Sequence, residues 1–410
     1  MPRSVGRMNL TADPGHPQRP RIMSRSLVAV FVASFGALTS FYLLLSVVPM
    51  YAGSVGAGGV GGGLATGALM LSTVAAELAT PTLVSRFGYR LAFAAGLLLL
   101  GAPTLALPAS ANLAGIMAVC VVRGLGFAII VVVGGALVAA LVPQGRRGEG
   151  LGLYGVVVGV PSVIMLPLGV WLAGHAGFLT VFVAAAVSAL AGLAVVAGLP
   201  GREPAPDRQS SVLTGLRNPA LLRPAVAFST TTMAAGVVVA FLPLAVTGVS
   251  GNLAALALLV QAAAATLARW WAGRYGDRHG PAGQLMPGVL AASVGMFALV
   301  LTANTAAVLI GMALFGIGFG VTQNASLTLM FSRVPPSEYG TASAVWNLAY
   351  DAGLGLGAAG FGVLAAQTGY PAAFAFTATL MLAGLAPAWR DRMATRTSEF
   401  WCNSPVSCPR

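Results

Sequence analysis

The chain has 410 residues, of which 57% are hydrophobic and only 8% are charged. A soluble domain carries about 25% charged residues, so this composition excludes a protein that water surrounds on every side. The apolar residues lie in blocks of roughly 18–26, the length at which a helix spans a bilayer. The sequence therefore predicts an all-α membrane protein with many spans.

Twelve apolar blocks follow one another, six on each side of a polar segment. They are predicted as spans at 26–51, 60–84, 91–109, 113–142, 149–173, 177–199, 224–247, 252–272, 282–302, 305–332, 339–366 and 371–388. The predicted parts are a disordered cytoplasmic tail at 1–25, a six-helix bundle at 26–199, a cytoplasmic linker at 200–223, a second six-helix bundle at 224–388 and a cytoplasmic tail at 389–410.

The basic residues predict the orientation of these spans. There are 22, all of them arginines, against 10 acidic residues, which gives a net charge of +12. All except Arg123 and Arg269 lie in the tails, the linker or alternate loops, on one side of the predicted membrane. Because cytoplasmic loops carry the arginine excess, we expect a plasma (inner) membrane protein with both termini in the cytoplasm. Topology explains the charge, and no nucleic-acid partner is expected.

The two halves of the sequence are related by a shift of 192 residues. This shift aligns Arg123–Ala128 with Phe315–Gly320, and it aligns Ser85–Gly88 with Asp277–Gly280. Parallel repeats related by an axis along the membrane normal are one architecture of secondary transporters.

Two motifs resemble signatures of the major facilitator superfamily. The segment Gly273, three residues, Asp277-Arg278, one residue, Gly280 resembles the superfamily's short signature after a span. Arg123, followed by Gly-Leu-Gly, resembles its second signature, a membrane-embedded arginine. The resemblance implies a fold of two pseudo-symmetric six-helix bundles around a central cavity, with transport by alternating access.

The resemblance also implies a conformational latch on the cytoplasmic side. In it, Asp277 faces the positive N-terminus of a neighbouring helix. The first-half copy keeps only Arg86 and Gly88, with Pro81 and Ser85 at the other two positions. We therefore expect one strong latch and one weak one; the alternative is that both segments are simple positively charged turns.

Four ionisable residues fall inside predicted spans, namely Glu77, Arg123, Arg269 and Asp351. Each costs roughly 2.5–3.5 kcal/mol at the centre of a spanning helix, so each requires a reason. We hypothesise that Asp351 takes up and releases a proton, and that Arg123 either modulates its affinity or binds substrate in the same cavity. The alternative is a structural ion pair between them. Arg269 is expected to extend to the membrane surface, whereas Glu77 either takes part in proton coupling or pairs with an arginine.

Polar side chains cluster in the tenth and eleventh spans beside Asp351. With Arg123, they are the candidates for the substrate cavity: Gln323, Asn324, Asn347 and Tyr350. The alternative is that they make hydrogen bonds between helices.

The fifth span contains helix breakers, and its pattern loosely resembles a signature of drug-exporting antiporters in this superfamily. The hinge candidates are Gly159, Pro161, Pro167 and Gly169. The resemblance implies export rather than import.

The sequence contains no pattern typical of an enzyme or a cofactor protein. Its three histidines have no metal-ligand spacing, and without lysine there is no phosphate-binding P-loop. The leading prediction is a monomer in the lipid bilayer that exports a small organic molecule in exchange for protons, with the proton gradient as its energy source. The alternatives are a proton-coupled importer of a metabolite and a receptor or scaffold that does not transport.

Overall fold

The computed structural model describes residues 23–110, 112–142, 147–199, 212–246, 252–335 and 338–393. The predicted tails fall almost wholly outside these residues, as does the first part of the predicted linker. The described residues form helices and no strand. The α-helices are α1 (Arg25–Leu45), α2 (Val47–Ala52), α3 (Gly58–Gly101), α4 (Leu113–Leu141), α5 (Arg147–Ala191), α6 (Leu193–Val196), α7 (Val212–Arg217), α8 (Pro219–Ala245), α9 (Leu253–His279), α10 (Leu285–Ala298), α11 (Thr305–Ser332), α12 (Tyr339–Thr368) and α13 (Tyr370–Met381).

The helices account for the twelve predicted spans. Within the described ranges, nine helical stretches are long and apolar enough to cross a membrane. Two of these stretches each contain two spans: Arg25–Thr80 turns at residues 56–58, and Leu153–Val196 turns at Gly177. The shorter apolar helix Ala282–Ala298 supplies the ninth span. The predicted all-α architecture of twelve spans is therefore confirmed.

Several helix ends differ from the prediction. Helix α9 continues to His279 instead of ending at 272, so the signature segment is the end of a helix and not a loop. Helix α8 begins at Pro219, five residues before the predicted 224, because the side chain of Asn218 caps it. Helical residues continue to 393 in the last span instead of 388. Arginines near these ends keep their charges at the membrane surface while the backbone remains helical.

The conformation of the turns repeats at the predicted shift of 192 residues. Gly88 and Gly280 have φ of 79° and 81°, and Gly177 and Gly369 have φ of 81° and 78°. These four glycines occupy the left-handed region where a side chain is strained, and each one reverses the chain between two spans. Corresponding spans in the two halves are therefore linked by turns of the same geometry.

Helix packing repeats at the same shift. Gly124 of α4 lies directly against the main-chain carbonyl of Leu69 in α3, and Gly316 of α11 lies against that of Gln261 in α9. In both pairs, a methyl group on the glycine would collide with the facing backbone. Small residues at such crossings let spanning helices approach closely, which is the main attraction available to them in lipid.

The two halves meet along a seam between residues 59–77 of α3 and residues 351–362 of α12. Gly63 lies against the carbonyl of Ala358, and a Cβ on Gly355 would lie 2.6 Å from the Cβ of Met70. A Cβ on Gly67 would lie 3.0 Å from a methyl group of α12. Small residues therefore bring α3 and α12 close together along this inter-half seam, which ends at two carboxyl groups.

Arginines join helix ends within each half. In the first half, Arg90 donates through Nε to the carbonyl of Leu199 at 2.9 Å, linking the third and sixth spans. In the second half, Arg333 donates to the carbonyl of Ala220 at 3.1 Å and to the carboxylate of Asp391, also at 3.1 Å. These contacts link the tenth, seventh and twelfth spans at their arginine-bearing ends.

Candidate functional site

Two carboxyl groups from different halves meet at one end of the seam. Glu77 belongs to α3 and Asp351 to α12, and their side chains lie within hydrogen-bonding reach of each other. Asp351 is 5% exposed. The Oε1 atom of Glu77 is buried and has no hydrogen-bond partner among the described residues. The structure thus brings together two residues that the sequence identified only separately.

The contact between these two groups has a chemical requirement. An ionised carboxylate only accepts hydrogen bonds, so a bond between two carboxyl groups needs a proton on one of them. Two negative charges at this distance in a buried place repel each other strongly. The geometry therefore fits a carboxyl pair that holds a proton while the seam is closed.

Other polar groups surround this carboxyl pair. Tyr42 of α1 and Tyr350 of α12 both interact electrostatically with Asp351 and with Arg269 of α9. Arg269 is half-buried. Its charge therefore acts on these two tyrosines, and its extension to the membrane surface stays a prediction. The site accordingly includes α1 and α9 as well as α3 and α12.

An aromatic cluster adjoins the carboxyl pair on the side of the second half. Phe228 of α8 stacks on Trp346 of α12 with ring centroids 4.8 Å apart, and Tyr350 lies 6.0 Å from each of them. Phe319 of α11 completes the cluster, 6.1 Å from Phe228. The indole N–H of Trp346 donates to the hydroxyl of Ser326 at 3.0 Å. The sequence alone did not indicate this cluster, although Trp346 and Tyr350 are four residues apart on one helix face.

The structure describes the surroundings of the predicted cavity residues one by one. Tyr350 lies beside Asp351, and Asn347 lies one turn before Asp351 on the same helix and is half-buried. The side chain of Asn324 is directed at α9, with its Nδ2 3.6 Å from where Gly273 would carry a Cβ. The Oε1 atom of Gln323 is buried and has no hydrogen-bond partner among the residues that the structure describes. Their role in binding substrate stays a prediction.

The structure places the backbone of the predicted latch but not its central carboxylate. Gly280 follows the last residue of α9, and Gly88 separates the two spans within α3; both have positive φ. Arg278 and Arg86 are exposed. The side chain of Asp277 lies outside the described residues. The latch therefore stays a prediction.

The predicted hinge lies in a continuous helix. Helix α5 includes Pro161 and Pro167 without a break, and its described non-helical residue is Gly177. A Cβ on Gly159 would meet no atom within 4 Å, whereas Gly169 lies directly on the backbone of α1. Gly169 thus packs closely against α1, and bending at all four positions stays a prediction.

Arg123 occupies a separate site in the first half. It lies on α4 and is 2% exposed. Its guanidinium donates to the hydroxyl of Thr104 and to the main-chain carbonyl of Ser40, each at 3.3 Å. Within the described part of the chain, no carboxylate forms an ion pair with it. The alternative of a structural ion pair with Asp351 is therefore not found.

A small cavity opens beside Arg123. Its walls come from α1, α2, α3 and α4, all in the first half, and Asp351 does not line it. Arg123 and Asp351 therefore do not line this cavity together, and their sharing one cavity stays a prediction. Apart from Arg123, the wall is mainly apolar and includes Phe41, Leu44, Val48, Leu69 and Cys120.

Two repeated helical halves, a seam between them and buried ionisable groups define the class of multi-pass membrane transporters. Residues 30–358 match the family model described as Major Facilitator Superfamily. The chain belongs to this superfamily. Membership places it among transporters of small molecules rather than among enzymes.

Individual relatives are distant in sequence but alike in fold. An uncharacterised MFS-type transporter of Methanocaldococcus jannaschii is 20% identical over 368 residues, which cover 87% of this chain and 95% of that protein. A peptide transporter POT has a TM-score of 0.74 at 16% identity, covering 93% of this chain and 96% of the other. A D-xylose-proton symporter has a TM-score of 0.72 at 14% identity, covering 88% and 96%. At these identities, the two structures support the fold alone.

Proposed function

We propose that this protein is a secondary transporter that exports a small organic molecule in exchange for protons. The observation that carries the proposal is the contact between Glu77 and Asp351 across the seam. The proton gradient is the source of energy, and the working unit is a monomer in the lipid bilayer.

The carboxyl pair links protonation to conformation because its members belong to different halves. Alternating access separates the halves on one side of the membrane while they close on the other. Closing this end of the seam favours a proton shared between Glu77 and Asp351, and opening it gives each carboxylate access to water. By linkage, a proton that stabilises one conformation is itself bound more tightly in that conformation.

Topology and direction complete the proposal. In this proposal the arginine-bearing helix ends and both termini face the cytoplasm, in line with the positive-inside rule, and the membrane is the plasma membrane. Opening and closing on this side involve Asp277 and Arg278, and Gly159, Pro161 and Pro167 allow the fifth span to bend. Export rests on the pattern of that span.

Import is the second candidate function. A structure of the same fold is described as a D-xylose-proton symporter, and the carboxyl pair serves either direction equally well. Only the direction of proton-driven accumulation separates these candidates.

The test measures intracellular accumulation of a chemically mixed compound panel in cells that lack their own exporters. Cells carrying the wild type are compared with cells carrying Asp351→Asn, with and without an uncoupler. The matched control is Glu338→Gln, because Glu338 is a half-buried acid at the start of the same helix. Export is supported if a compound accumulates less in wild-type and control cells than in empty cells and in Asp351→Asn cells, and if the uncoupler abolishes this difference. Higher accumulation with the same sensitivities supports import, and no difference from empty cells supports a receptor or scaffold.

A further inference from the structure

Arg123 differs from the other described arginines in how its charge is satisfied. Arg90 lies at a helix end and donates to a main-chain carbonyl. Arg333 pairs with the carboxylate of Asp391 at 3.1 Å, and Arg274 lies over an exposed tryptophan ring, 4.2 Å from its centroid. Arg123 is more deeply buried than these and has no counter-charge among the described residues.

The hydrogen bonds of Arg123 leave donors unused. A guanidinium has five N–H groups in a planar fork, and the described contacts of Arg123 use two of them. Both bonds are 3.3 Å long, beyond the usual range for a charge-assisted bond. A buried cation with spare donors is costly unless an anion reaches it.

The cavity beside Arg123 supplies a route and a place for such an anion. The cavity is small and leaves room beside the guanidinium for a compact group. Its polar groups are the guanidinium of Arg123 and the hydroxyl of Thr66, and the remaining wall is mainly aromatic and aliphatic. Among the described residues, no carboxylate lines it. A small molecule with one anionic group and a compact apolar body matches this combination of charge and wall.

We infer that the cavity binds a small organic anion, with its carboxylate or similar group on the guanidinium of Arg123 and its apolar body against Phe41, Leu44 and Leu69. A planar carboxylate receives two parallel N–H bonds from an arginine fork, which a lysine at the same position does not reproduce. This inference rests on the proposed transport function and names the class of substrate. Because binding needs no proton gradient, its test is independent of transport direction and of coupling.

Cys120 provides a reporter inside the cavity. It lies three residues before Arg123 on α4, so the two share a helix face, and it also lines the cavity. The purified full-length protein, with Cys402 and Cys408 replaced by serine, is treated with a neutral methanethiosulfonate reagent. The rate of Cys120 modification is measured with benzoate, with its uncharged analogue benzamide and with neither. The variants are Arg123→Gln, Arg123→Lys and the coupling variant Asp351→Asn.

The expected result is selective protection by the anion. Benzoate at saturation slows modification of Cys120 at least fivefold in the wild type and in Asp351→Asn, while benzamide changes it less than twofold. Arg123→Gln abolishes the protection, and Arg123→Lys retains only part of it. A negatively charged methanethiosulfonate reacts at least tenfold faster than a positively charged one in the wild type, and Arg123→Gln removes this preference.

Other results overturn the inference. Equal protection by benzoate and benzamide shows an apolar site that ignores charge. Protection that persists in Arg123→Gln shows that the anion binds elsewhere. If Arg123→Gln does not fold, the wild type and Arg123→Lys still decide, because absence of both benzoate protection and anionic-reagent preference in the wild type refutes the anion site. Proton-driven transport that persists at the wild-type level in Asp351→Asn, together with intact benzoate protection, refutes the proposed coupling and leaves the anion site standing.

Discussion

Asp351→Asn is expected to uncouple transport from the proton gradient without preventing transport itself. The two side chains have nearly the same shape, and the asparagine amide donates to the carboxylate of Glu77 without needing a shared proton. Closing the seam then no longer depends on protonation. The variant therefore exchanges substrate across the membrane at equal concentrations but does not concentrate it.

The size of this effect follows from the thermodynamics of one proton. A gradient of one pH unit is worth about 1.4 kcal/mol per proton, which corresponds to about a tenfold concentration ratio of substrate. Removing the titratable group at Asp351 reduces that ratio to one. Because Asp351 is 5% exposed and in contact with Glu77, Glu77→Gln is expected to give the same loss.

The assay uses protein reconstituted in liposomes with a fixed pH difference and a substrate identified from the compound panel. Uphill accumulation and equilibrium exchange are measured on the same vesicles, so loss of coupling is separated from loss of folding. Glu338→Gln serves as the control and keeps the full concentration ratio. A wild-type ratio in both Asp351→Asn and Glu77→Gln would refute the assignment of the proton to the carboxyl pair.

Two further predictions concern packing and stability. Gly63→Ala places a methyl group on the backbone of the second half and weakens the closed seam by about 1–3 kcal/mol. In Gly360→Ala the new methyl group meets no atom within 4 Å, so the seam is unchanged. Distances between spin labels on the two halves check this, and equal distances in the two variants would contradict it. Arg333→Ala removes one ion-pair partner of Asp391, whose side chain is fully buried, and lowers the free energy of unfolding by about 3 kcal/mol. Arg274→Ala removes only an exposed contact with the ring of Trp270 and lowers the free energy of unfolding by less than about 1 kcal/mol. Thermal unfolding in detergent compares Arg333→Ala with Arg274→Ala. Equal losses of stability in these two variants would contradict the argument that burial makes the Arg333 contact stronger.

The number of spans and the repeat could be predicted because both depend on local sequence. The hydropathy of an apolar block predicts that it spans the membrane, whichever helices it packs against. The turns at Gly88 and Gly280 require glycine for a local backbone reason, so they appear as matching letters 192 residues apart. The ends of α8 and α9 were less predictable, because these helices continue beyond the apolar block into residues at the membrane surface, where hydropathy no longer marks the helix.

The carboxyl pair shows where sequence reasoning stops. Glu77 and Asp351 could each be singled out, since an acid within an apolar span is expensive wherever it points. Their contact depends on how α3 lies along α12, and that depends on small residues distributed over the whole seam. The Arg123 cavity was likewise not predictable, because its walls combine four helices whose apolar residues look alike in sequence.

The separation of these two sites constrains how a proton and a substrate can influence each other. In an exchanger with one shared site, the proton and the substrate compete for the same atoms. Here the Arg123 cavity is lined by the first half alone, whereas the carboxyl pair exists only while the halves touch. Any coupling between them must therefore pass through the equilibrium between conformations. An anion that favours opening of the seam will then weaken proton binding at Glu77 and Asp351, and by reciprocity protonation will weaken binding of the anion by the same factor.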